Sequence, residues 1–456
     1  MLPQEFIDEV RPLLGGELDA FLRALNEPPT LALRLNRLRG DMSPFAAEFV
    51  DGDVPWAADG RYLKPGARPG RSLGHDLGAF YLQEASAMVS ASVLDAQPGE
   101  KILDLCAAPG GKTSQIAFAM GGAGALVSNE PVPSRAKILA ENVERLGIGS
   151  GVVVSAYPDA LARRWPEHFD GVLVDAPCSG EGMFRKDPAA RGEWSENNVR
   201  QCAARQDDIL REAWRALRPG GTLIYSTCTF NRDEDEGSLE RMLAWAGDEV
   251  AASEPVDVDP AWGIVEGEVG PFRTFRFFPH RTVGEGFFAA VARKAPDAPG
   301  RQRLPKGRRS MVAPADRASA GELRRWVREP DRMVFGTVAG TGYAWYGEQA
   351  EAVKTLSEAL PVICSGVALG QLFKGRLKPD PALAFFDGLE RGAVPVAGLD
   401  DEQALRYLRR QEVAAGALAE GVNLVTARGR ALGFAKRIGA RVNNMYPNSL
   451  RILRQE

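Results

Sequence analysis

The sequence predicts an α/β protein built on an open, mostly parallel β-sheet with helices on both faces. Between residues 101 and 228, short apolar segments alternate with segments of helical character. The apolar segments, such as KILDL, GVVVSA and GVLVDAP, are almost continuously hydrophobic, as strands buried on both faces are. A glycine-rich turn, AAPGG, lies between the first apolar segment and a helix start, as in nucleotide-binding sheets.

The composition is that of a globular protein, with 456 residues, 45% hydrophobic and 25% charged, enough for about two to four domains. The net charge of −4 means that any nucleic-acid surface has to be local. Five scattered cysteines without a CxxC and only three histidines argue against a disulfide framework and a metal site. The acidic start MLPQEFIDEV and the lack of a long apolar run predict a cytoplasmic protein without membrane contact.

Residues 1–75 are predicted to form a small α/β domain that assists RNA binding. Two helical segments end at Gly15-Gly16 and Pro28-Pro29, and TLALRLNRLRG then alternates as a half-exposed strand does. Three basic residues of that segment, Arg34, Arg37 and Arg39, could face RNA or form an ordinary solvated face.

Residues 76–295 are predicted to form the central domain. A helix from Ala79 leads into the first strand, and the strand GVLVDAP is followed by a long loop to about Trp194. The segment GGTLIYSTCTF is the fifth strand, and FRTFRFFPHR with GEGFFAAVARK predicts an edge hairpin that closes the sheet.

The rest of the chain is divided into a basic linker over residues 296–318, an accessory domain over 319–389 and a final unit over 390–456. After Gly421 the chain has seven Arg or Lys against one acid, interleaved with Phe434 and Tyr446. On a short β unit this pattern is typical of a surface that contacts phosphates, although an incidental basic face is the alternative.

The glycine turn lacks both GxGxxG and GxxxxGK[ST], so neither a dinucleotide nor a triphosphate is indicated. S-adenosylmethionine, a nucleoside ligand without phosphates, fits the turn better. Glu130 ends the next strand about twenty residues on, where an acid takes ribose hydroxyls in such sheets. A dehydrogenase would place an acid there too, but it would also need GxGxxG.

Two neighbouring strands are predicted to end in cysteine-bearing turns, with Asp175 and Cys178 in VDAPCSGEG and Cys228 in YSTCTF. Either cysteine alone would be taken as packing. Two cysteines at one sheet edge, beside the glycine-rich turn, suit methylation of a pyrimidine at C5. A thiolate that adds to C6 makes C5 nucleophilic, a carboxyl group can lend a proton to N3, and a second polar group can assist release.

These residues resemble the Nop/Sun-type RNA cytosine-5 methyltransferases in the motifs YLQEASAM, DLCAAPGGKT, DAPCSGEGMFRKD, YSTCTFNRDEDE and PH…GFFAA. The resemblance implies a Rossmann-like class I methyltransferase core with a mostly parallel seven-stranded sheet. It implies that Cys228 is the nucleophile, that Cys178 assists release and that Asp175 contacts cofactor and cytosine. Lys112 or Lys186 could favour the thiolate by its charge.

The resemblance also implies the residues that bind S-adenosylmethionine. They are Ala107, Ala108, Pro109, Gly110, Gly111, Lys112, Thr113, Glu130, Arg135 and Asp175. After the third strand, where the family often has Asp or Asn for the adenine, the run is SAYPDA. Asp159, or a backbone amide at Ala156 or Tyr157, could serve there instead.

The segment LGFAKRIGARVNNMYPNSLRIL resembles the PUA-like RNA-binding end of the RsmF-type enzymes of this family. That resemblance implies 16S ribosomal RNA near the decoding region, in the small ribosomal subunit, as the partner, and not DNA. We expect a monomer, although the sequence does not fix the oligomeric state.

Two other functions remain open. DNA cytosine-5 methyltransferases use the Cys of a Pro-Cys pair, and Pro177-Cys178 is such a pair, so Cys178 could be the nucleophile. The chain could also be a non-catalytic RNA-binding or ribosome assembly factor that keeps the fold.

Overall fold

The structure is a computed structural model that describes residues 2–298, 312–448 and 450–453. Residues 299–311 of the predicted linker lie outside the described residues. The described strands form four sheets.

The first sheet belongs to the N-terminal region. Its elements are α1 (Gln4–Leu14), α2 (Leu18–Ala24), β1 (Ala32–Leu35), β2 (Val50–Asp53), β3 (Gly60–Leu63), α3 (Leu73–Asp76) and β4 (Phe80–Leu82), with strand order β2-β3-β1-β4. The prediction of a helix that starts at Ala79 is wrong over β4. Those residues pair with β1, and Leu33 lies opposite Leu82, so sheet pairing decides their conformation.

The large central sheet is formed by the elements of the predicted methyltransferase core. They are α4 (Val89–Leu94), β5 (Lys101–Asp104), α5 (Gly111–Met120), β6 (Ala125–Asn129), α6 (Pro133–Arg145), β7 (Gly151–Val154), α7 (Pro158–Arg164), β8 (Phe169–Asp175), α8 (Ala190–Glu193), α9 (Glu196–Ala216), β9 (Leu217–Thr227), α10 (Glu236–Ala246), β10 (Val250–Ala251), β11 (Val265–Val269), β12 (Phe272–Phe277) and β13 (Phe287–Lys294).

Seven strands in the order β12-β13-β9-β8-β5-β6-β7 form the centre of this sheet. Strands β5 to β9 pair in parallel, and the hairpin β12–β13 joins antiparallel to β9. The prediction of a mostly parallel seven-stranded Rossmann-like sheet is therefore confirmed. Three more strands extend it: β10, β11 and β17 (Val362–Ser365), which comes from beyond the linker and pairs with β7.

The two faces of the central sheet are covered by separate apolar cores, because side chains alternate along each strand. Leu103 and Val127 face a core with residues of α7, α9 and α10. Ile102 and Leu126 face a core with residues of α4, α5 and α6. Helices on both faces bury the parallel strands completely, as the continuous apolar segments predict.

The remaining elements form two smaller sheets. They are β14 (Ala313–Pro314), α11 (Arg317–Arg324), β15 (Met333–Val338), β16 (Thr341–Tyr346), α12 (Gly347–Ser357), β18 (Val367–Phe373), β19 (Arg376–Pro379) and α13 (Pro381–Phe385), followed by β20 (Val396–Leu399), α14 (Asp401–Leu408), β21 (Gly421–Ala427), β22 (Arg430–Ile438) and β23 (Arg441–Asn444). Phe434 and Tyr446 are buried in these units, so neither is available to stack on RNA bases.

The N-terminal and C-terminal regions share one apolar core, which the sequence did not predict. Leu33 and Phe80 pack in one cluster with Tyr407 and Val425. Arg430 adds polar contacts across the same boundary, since its Nη1 donates to the carbonyl oxygen of Arg39 at 2.7 Å. The two ends of the chain therefore form a joined unit beside the central domain.

The prediction of an RNA-facing basic strand near residue 34 is wrong for two of its three members. Arg34 is 1% exposed and Arg39 is 5% exposed. Burial lowers the pKa of Arg34 to about 9 and that of Arg39 to about 10. Both side chains hold regions of the protein together, and only Arg37, paired with Asp59 at 2.5 Å, remains largely exposed.

Within the described residues, no helix combines the length and apolar character that a membrane span requires.

Candidate active site

The carboxyl ends of β8 and β9 bring the two predicted cysteines together. Asp175 is the last residue of β8 and lies opposite Ser226 of β9. The turn after β8 carries Cys178, and Cys228 directly follows β9. Parallel neighbouring strands end at one sheet edge, so both thiols meet there.

The Sγ atoms of Cys178 and Cys228 are 3.4 Å apart. The pKa of Cys178 is raised well above its ordinary range, first by the hydrogen bond to Cys228 and then by burial. Cys178 therefore keeps its proton near neutral pH. Either sulfur can donate the hydrogen bond that joins the pair.

A buried ion pair lies beside the thiols. Lys112 Nζ is 2.7 Å from one carboxylate oxygen of Asp175, and the hydroxyl of Ser226 donates to the other at 2.9 Å. Lys112 is only 8% exposed and lies 5.0 Å from the ring centroid of Phe287. Its charge is therefore directed at Asp175, whereas Lys186 lies exposed in a neighbouring groove.

Two buried glutamates tie the cysteine loops to each other, and sequence reasoning missed both. Glu234, from the loop after Cys228, accepts from the backbone N–H of Ser179 at 3.0 Å and from Gln206 Nε2 at 2.7 Å. Burial raises the pKa of Glu234. The loop after β9 thus holds the residue that follows Cys178.

Glu181 makes the reciprocal connection. One of its oxygens accepts from the backbone N–H groups of Phe230 and Asn231 at 2.9 and 3.0 Å. Its other oxygen accepts from Trp194 Nε1 at 2.9 Å. Both glutamates are fully buried, and their presence inside the motifs PCSGEG and NRDEDE was the only signal in the sequence.

The glycine turn forms a cavity of about 160 Å³ at the same sheet edge. Its lining residues include Tyr81, Leu82, Gln83, Asp104, Cys106, Ala107, Ala108, Pro109, Gly111, Lys112 and Asp175. Gly110 precedes α5 with φ +114°, a conformation that L side chains rarely adopt. The backbone of the turn is therefore open to a ligand that reaches from β5 towards Asp175.

Glu130 lies at the end of β6 and is 2% exposed. Its carboxylate accepts from the backbone N–H of Val132 at 2.9 Å and lies 3.4 Å from Arg135. Arg135 also donates to the carbonyl oxygen of Ala108 at 3.1 Å, which links this strand end to the glycine turn. A carboxylate held here suits ribose hydroxyls as ligands.

The candidates for adenine contact are Asp159 and the backbone amides of Ala156 and Tyr157, and none of these residues lines the cavity at the glycine turn. Asp159 lies in the first turn of α7, where it pairs with Arg163 at 2.6 Å and its side chain is 46% exposed. The backbone N–H of Ala156 already donates to Asn129 Oδ1 at 3.1 Å. Tyr157 is exposed.

Two buried groups support the cavity, and sequence reasoning assigned them no such role. Asp104, which ends β5, accepts from the hydroxyl of Thr113 at 2.6 Å, and burial raises its pKa to about 7. Arg34 donates to the carbonyl oxygen of Gly111 at 2.8 Å and to Gln83 Oε1 at 3.2 Å. An arginine of the N-terminal sheet therefore holds the start of α5.

Groups of His, Cys, Asp or Glu suited to a metal ion do not occur in the part of the chain that the structure describes.

Family models match three parts of the chain. Residues 91–293 match 16S rRNA methyltransferase RsmB/F, residues 2–85 match the N-terminal domain of 16S rRNA methyltransferase RsmF, and residues 394–452 match the methyltransferase RsmF PUA domain. The fold and site thus define a Rossmann-like methyltransferase with a C-terminal PUA domain.

Full-length relatives narrow this class. Ribosomal RNA small subunit methyltransferase F of Pectobacterium atrosepticum is 32% identical, over 98% of this chain and 96% of the relative. The protein of the same name from an Enterobacter species is 33% identical, over 98% and 95%. The chain belongs to the family of ribosomal RNA small subunit methyltransferase F.

Solved structures agree on the fold. A methyltransferase homolog from Pyrococcus horikoshii has a TM-score of 0.54 at 28% identity, covering 64% of this chain and 95% of that one. NSun6 from Pyrococcus horikoshii, solved with SFG, has a TM-score of 0.57 at 22% identity, covering 65% and 99%.

Proposed function

We propose that the protein transfers a methyl group from S-adenosylmethionine to C5 of cytosine in 16S ribosomal RNA. The observation that carries this proposal is the pair of thiols 3.4 Å apart beside the Lys112–Asp175 ion pair. A single thiol would serve packing, but two thiols in contact, at the sheet edge where Asp175 lines a nucleoside-type cavity, suit pyrimidine addition chemistry. The names of the full-length relatives support small-subunit ribosomal RNA as the substrate, and the descriptions of the matching family models support 16S rRNA.

The residues at the glycine turn fit S-adenosylmethionine. The turn from Ala107 to Gly111 would approach the amino acid and ribose portions, and Glu130 would take the ribose hydroxyls. Asp175 and Lys112 would lie between cofactor and base. When bound, S-adenosylmethionine supplies an electrophilic methyl group at this position.

The chain's own residues account for the other steps. Cys228 Sγ, as the thiolate, adds to C6 of the cytosine ring while Asp175 passes a proton from Lys112 Nζ, 2.7 Å away, to N3, and C5 becomes nucleophilic. After C5 has gained the methyl group, its proton passes to water, the N3 proton returns through Asp175 to Lys112, and the C6–S bond breaks. Cys178 donates its S–H to the departing sulfur of Cys228, which stabilises the thiolate that leaves.

The raised pKa of Cys178 supports this assignment of roles over the reverse one. A thiol that keeps its proton can stabilise a leaving thiolate but is a poor nucleophile. The attacking sulfur is therefore assigned to Cys228.

The N-terminal and C-terminal regions of the chain contact the RNA. The RNA substrate belongs to the small ribosomal subunit, in the cytoplasm. On the C-terminal PUA domain, Lys436 and Arg441 remain exposed on β22 and β23. Arg430 and Arg437 are instead bonded to backbone carbonyl oxygens. Phosphate contacts of this kind position the RNA, while the reactive pocket selects the base.

The proposal is tested by trapping the covalent complex. Cys178→Ala should accumulate an adduct between protein and unmethylated 16S rRNA that survives denaturing electrophoresis, because release is slowed. Cys228→Ala should form none. The reverse result would show that Cys178 is the nucleophile. Cys364→Ala is the matched control, because Cys364 lies in β17 at the far edge of the central sheet.

The alternative of a non-catalytic RNA-binding factor is tested separately. Wild-type protein with labelled S-adenosylmethionine should place label on unmethylated small-subunit RNA or on 30S particles. Digestion of that RNA to nucleosides should recover the label as 5-methylcytidine. RNA binding without any transfer would support the alternative.

A further inference from the structure

A second cavity of about 310 Å³ lies between the N-terminal sheet and the central domain. It shares Leu82 and Gln83 with the cavity at the glycine turn, so the two cavities adjoin at the end of β4. Its volume falls in the range of ligand pockets, about 300–1,000 Å³. We name it the β4 groove, and its lining includes Thr30, Leu31, Leu63, Arg68, Pro69, Arg71, Leu82, Gln83, Glu84 and Lys186.

The β4 groove combines an apolar floor with cationic walls. Leu31 and Leu82 are 37% and 40% exposed and present apolar surface to the groove. Arg68, Arg71 and Lys186 are exposed, and none of them forms an ion pair among the described residues. Apolar area flanked by unpaired cations matches a ligand with a flat, weakly polar part and an anionic part.

The only acid in the lining does not oppose an anion, because backbone N–H groups already surround it. Glu84 accepts from Ser86 and Ala87 at 2.9 Å each, and from Glu285 at 2.9 Å. Burial also raises the pKa of Glu84. The charge presented by the groove is therefore positive.

The groove is rigidly connected to the loop of Cys178. Arg185 in that loop forms a buried ion pair with Glu285 at 2.7 Å, and the same Glu285 accepts from the backbone N–H of Thr30 at 2.9 Å. Lys186 is the next residue along the loop. One loop thus carries a reactive thiol at one end and a cation of the β4 groove at the other.

We propose that the β4 groove holds an unpaired nucleotide that flanks the target cytosine, with its base on the leucines and its phosphates against Arg68, Arg71 and Lys186. This inference rests on the proposed function, since it takes RNA as the ligand. A target base can enter the reactive pocket only when its strand is unpaired, and the strand then needs a path out of that pocket. The β4 groove adjoins the cavity at the glycine turn and carries Lys186 from the loop of Cys178, so it is placed to receive that strand.

The test measures binding of an unmethylated 16S rRNA fragment at several salt concentrations. In Arg68→Ala/Arg71→Ala the Kd should rise about tenfold at low salt, and the salt slope should fall by about 1.4, at about 0.7 for each phosphate contact in a single strand. The control Arg11→Ala/Arg23→Ala removes the same charge from exposed positions outside the groove and should behave as wild type. Equal behaviour of the two double variants would overturn the proposal.

A third variant, Leu31→Asp, tests the floor by placing an anion where the base would lie, at a residue that lines the β4 groove and not the cavity at the glycine turn. Its Kd for the RNA fragment should rise at least tenfold, with unchanged affinity for S-adenosylmethionine and a thermal unfolding midpoint near that of wild type. Unchanged RNA binding in this variant would also overturn the proposal. Failure of the proposed function has a different signature, because wild-type protein would then form no 5-methylcytidine whatever its RNA affinity.

Discussion

Glu181 and Glu234 hold the two cysteine loops together, so a substitution of either glutamate should displace the thiols without changing a cysteine. Glu181→Gln keeps the shape of the side chain but replaces one acceptor oxygen by an N–H₂ donor. In wild type each oxygen of Glu181 faces N–H donors: Phe230 and Asn231 on one side, and Trp194 and the Asn231 side chain on the other. In either orientation of the glutamine amide, its N–H₂ group therefore faces N–H donors and finds no acceptor there.

The magnitude follows from the number of bonds lost. Two hydrogen bonds to a buried carboxylate, at about 1.5–3 kcal/mol each, give a loss of about 3–6 kcal/mol in the free energy of unfolding. A shift of about 1 Å between reacting groups costs about 10²-fold in rate. We therefore expect the rate of methyl transfer to fall about 10²-fold, while the Kd for S-adenosylmethionine stays unchanged because the glycine turn and Glu130 are untouched.

The assay is single-turnover methyl transfer with saturating RNA, combined with chemical denaturation. Glu358→Gln is the control, since it weakens the half-buried pair with Arg164 at 2.6 Å far from the thiols. Glu181→Gln/Glu234→Gln should lose less rate than the sum of the single losses, because both residues bind Asn231 and fix the same two loops. Wild-type transfer by Glu181→Gln, at a stability equal to that of the control, would refute a positioning role.

Three further predictions concern the groups around the glycine turn. The pKa of Asp104 is about 7 against an ordinary 3.8, so between pH 4 and 7 the unfolded chain has released a proton that the folded protein keeps. The free energy of unfolding of the wild type should therefore fall as the pH rises, by up to about 4 kcal/mol relative to Asp104→Asn. Urea denaturation at a series of pH values measures this difference. Glu130→Gln should raise the Kd for S-adenosylmethionine about ten- to a hundredfold by calorimetry, with the rate at saturation within about twofold, whereas an unchanged Kd would remove Glu130 from the cofactor site. Arg34→Met leaves the carbonyl oxygen of Gly111 without this donor and should lower stability by about 2 kcal/mol, and an unchanged denaturation midpoint would contradict its role.

The parallel strands of the central sheet could be predicted because each carries an almost continuous apolar segment, a pattern typical of strands buried on both faces. The meeting of Cys178 and Cys228 followed from the same logic, since carboxyl ends of parallel strands share one edge. The extra strand β17 could not be predicted, because a strand that joins an edge from a distant part of the chain leaves no local signal.

Burial of charged residues was the main source of error. Arg34 and Arg39 alternate with apolar residues as exposed strand positions do, yet both are buried between regions of the chain. Their partners are mostly backbone carbonyl groups, such as Gly111 for Arg34, and a sequence pattern contains no record of such partners. Glu181 and Glu234 escaped notice for the same reason, since their acceptor roles depend on loops that approach only in the folded protein. The domain boundaries at 75, 295, 318 and 389 stay predictions.

The most direct measurement is to identify the sulfur that bonds to the base. Wild-type protein should be incubated with S-adenosylmethionine and 16S rRNA in which cytidine is replaced by 5-fluorocytidine, since fluorine at C5 cannot leave as the proton does and the adduct persists. Mass spectrometry of the digested adduct should find the modified nucleotide on the peptide that contains Cys228. A nucleotide on the peptide of Cys178, or no adduct under conditions where normal RNA is methylated, would contradict the account.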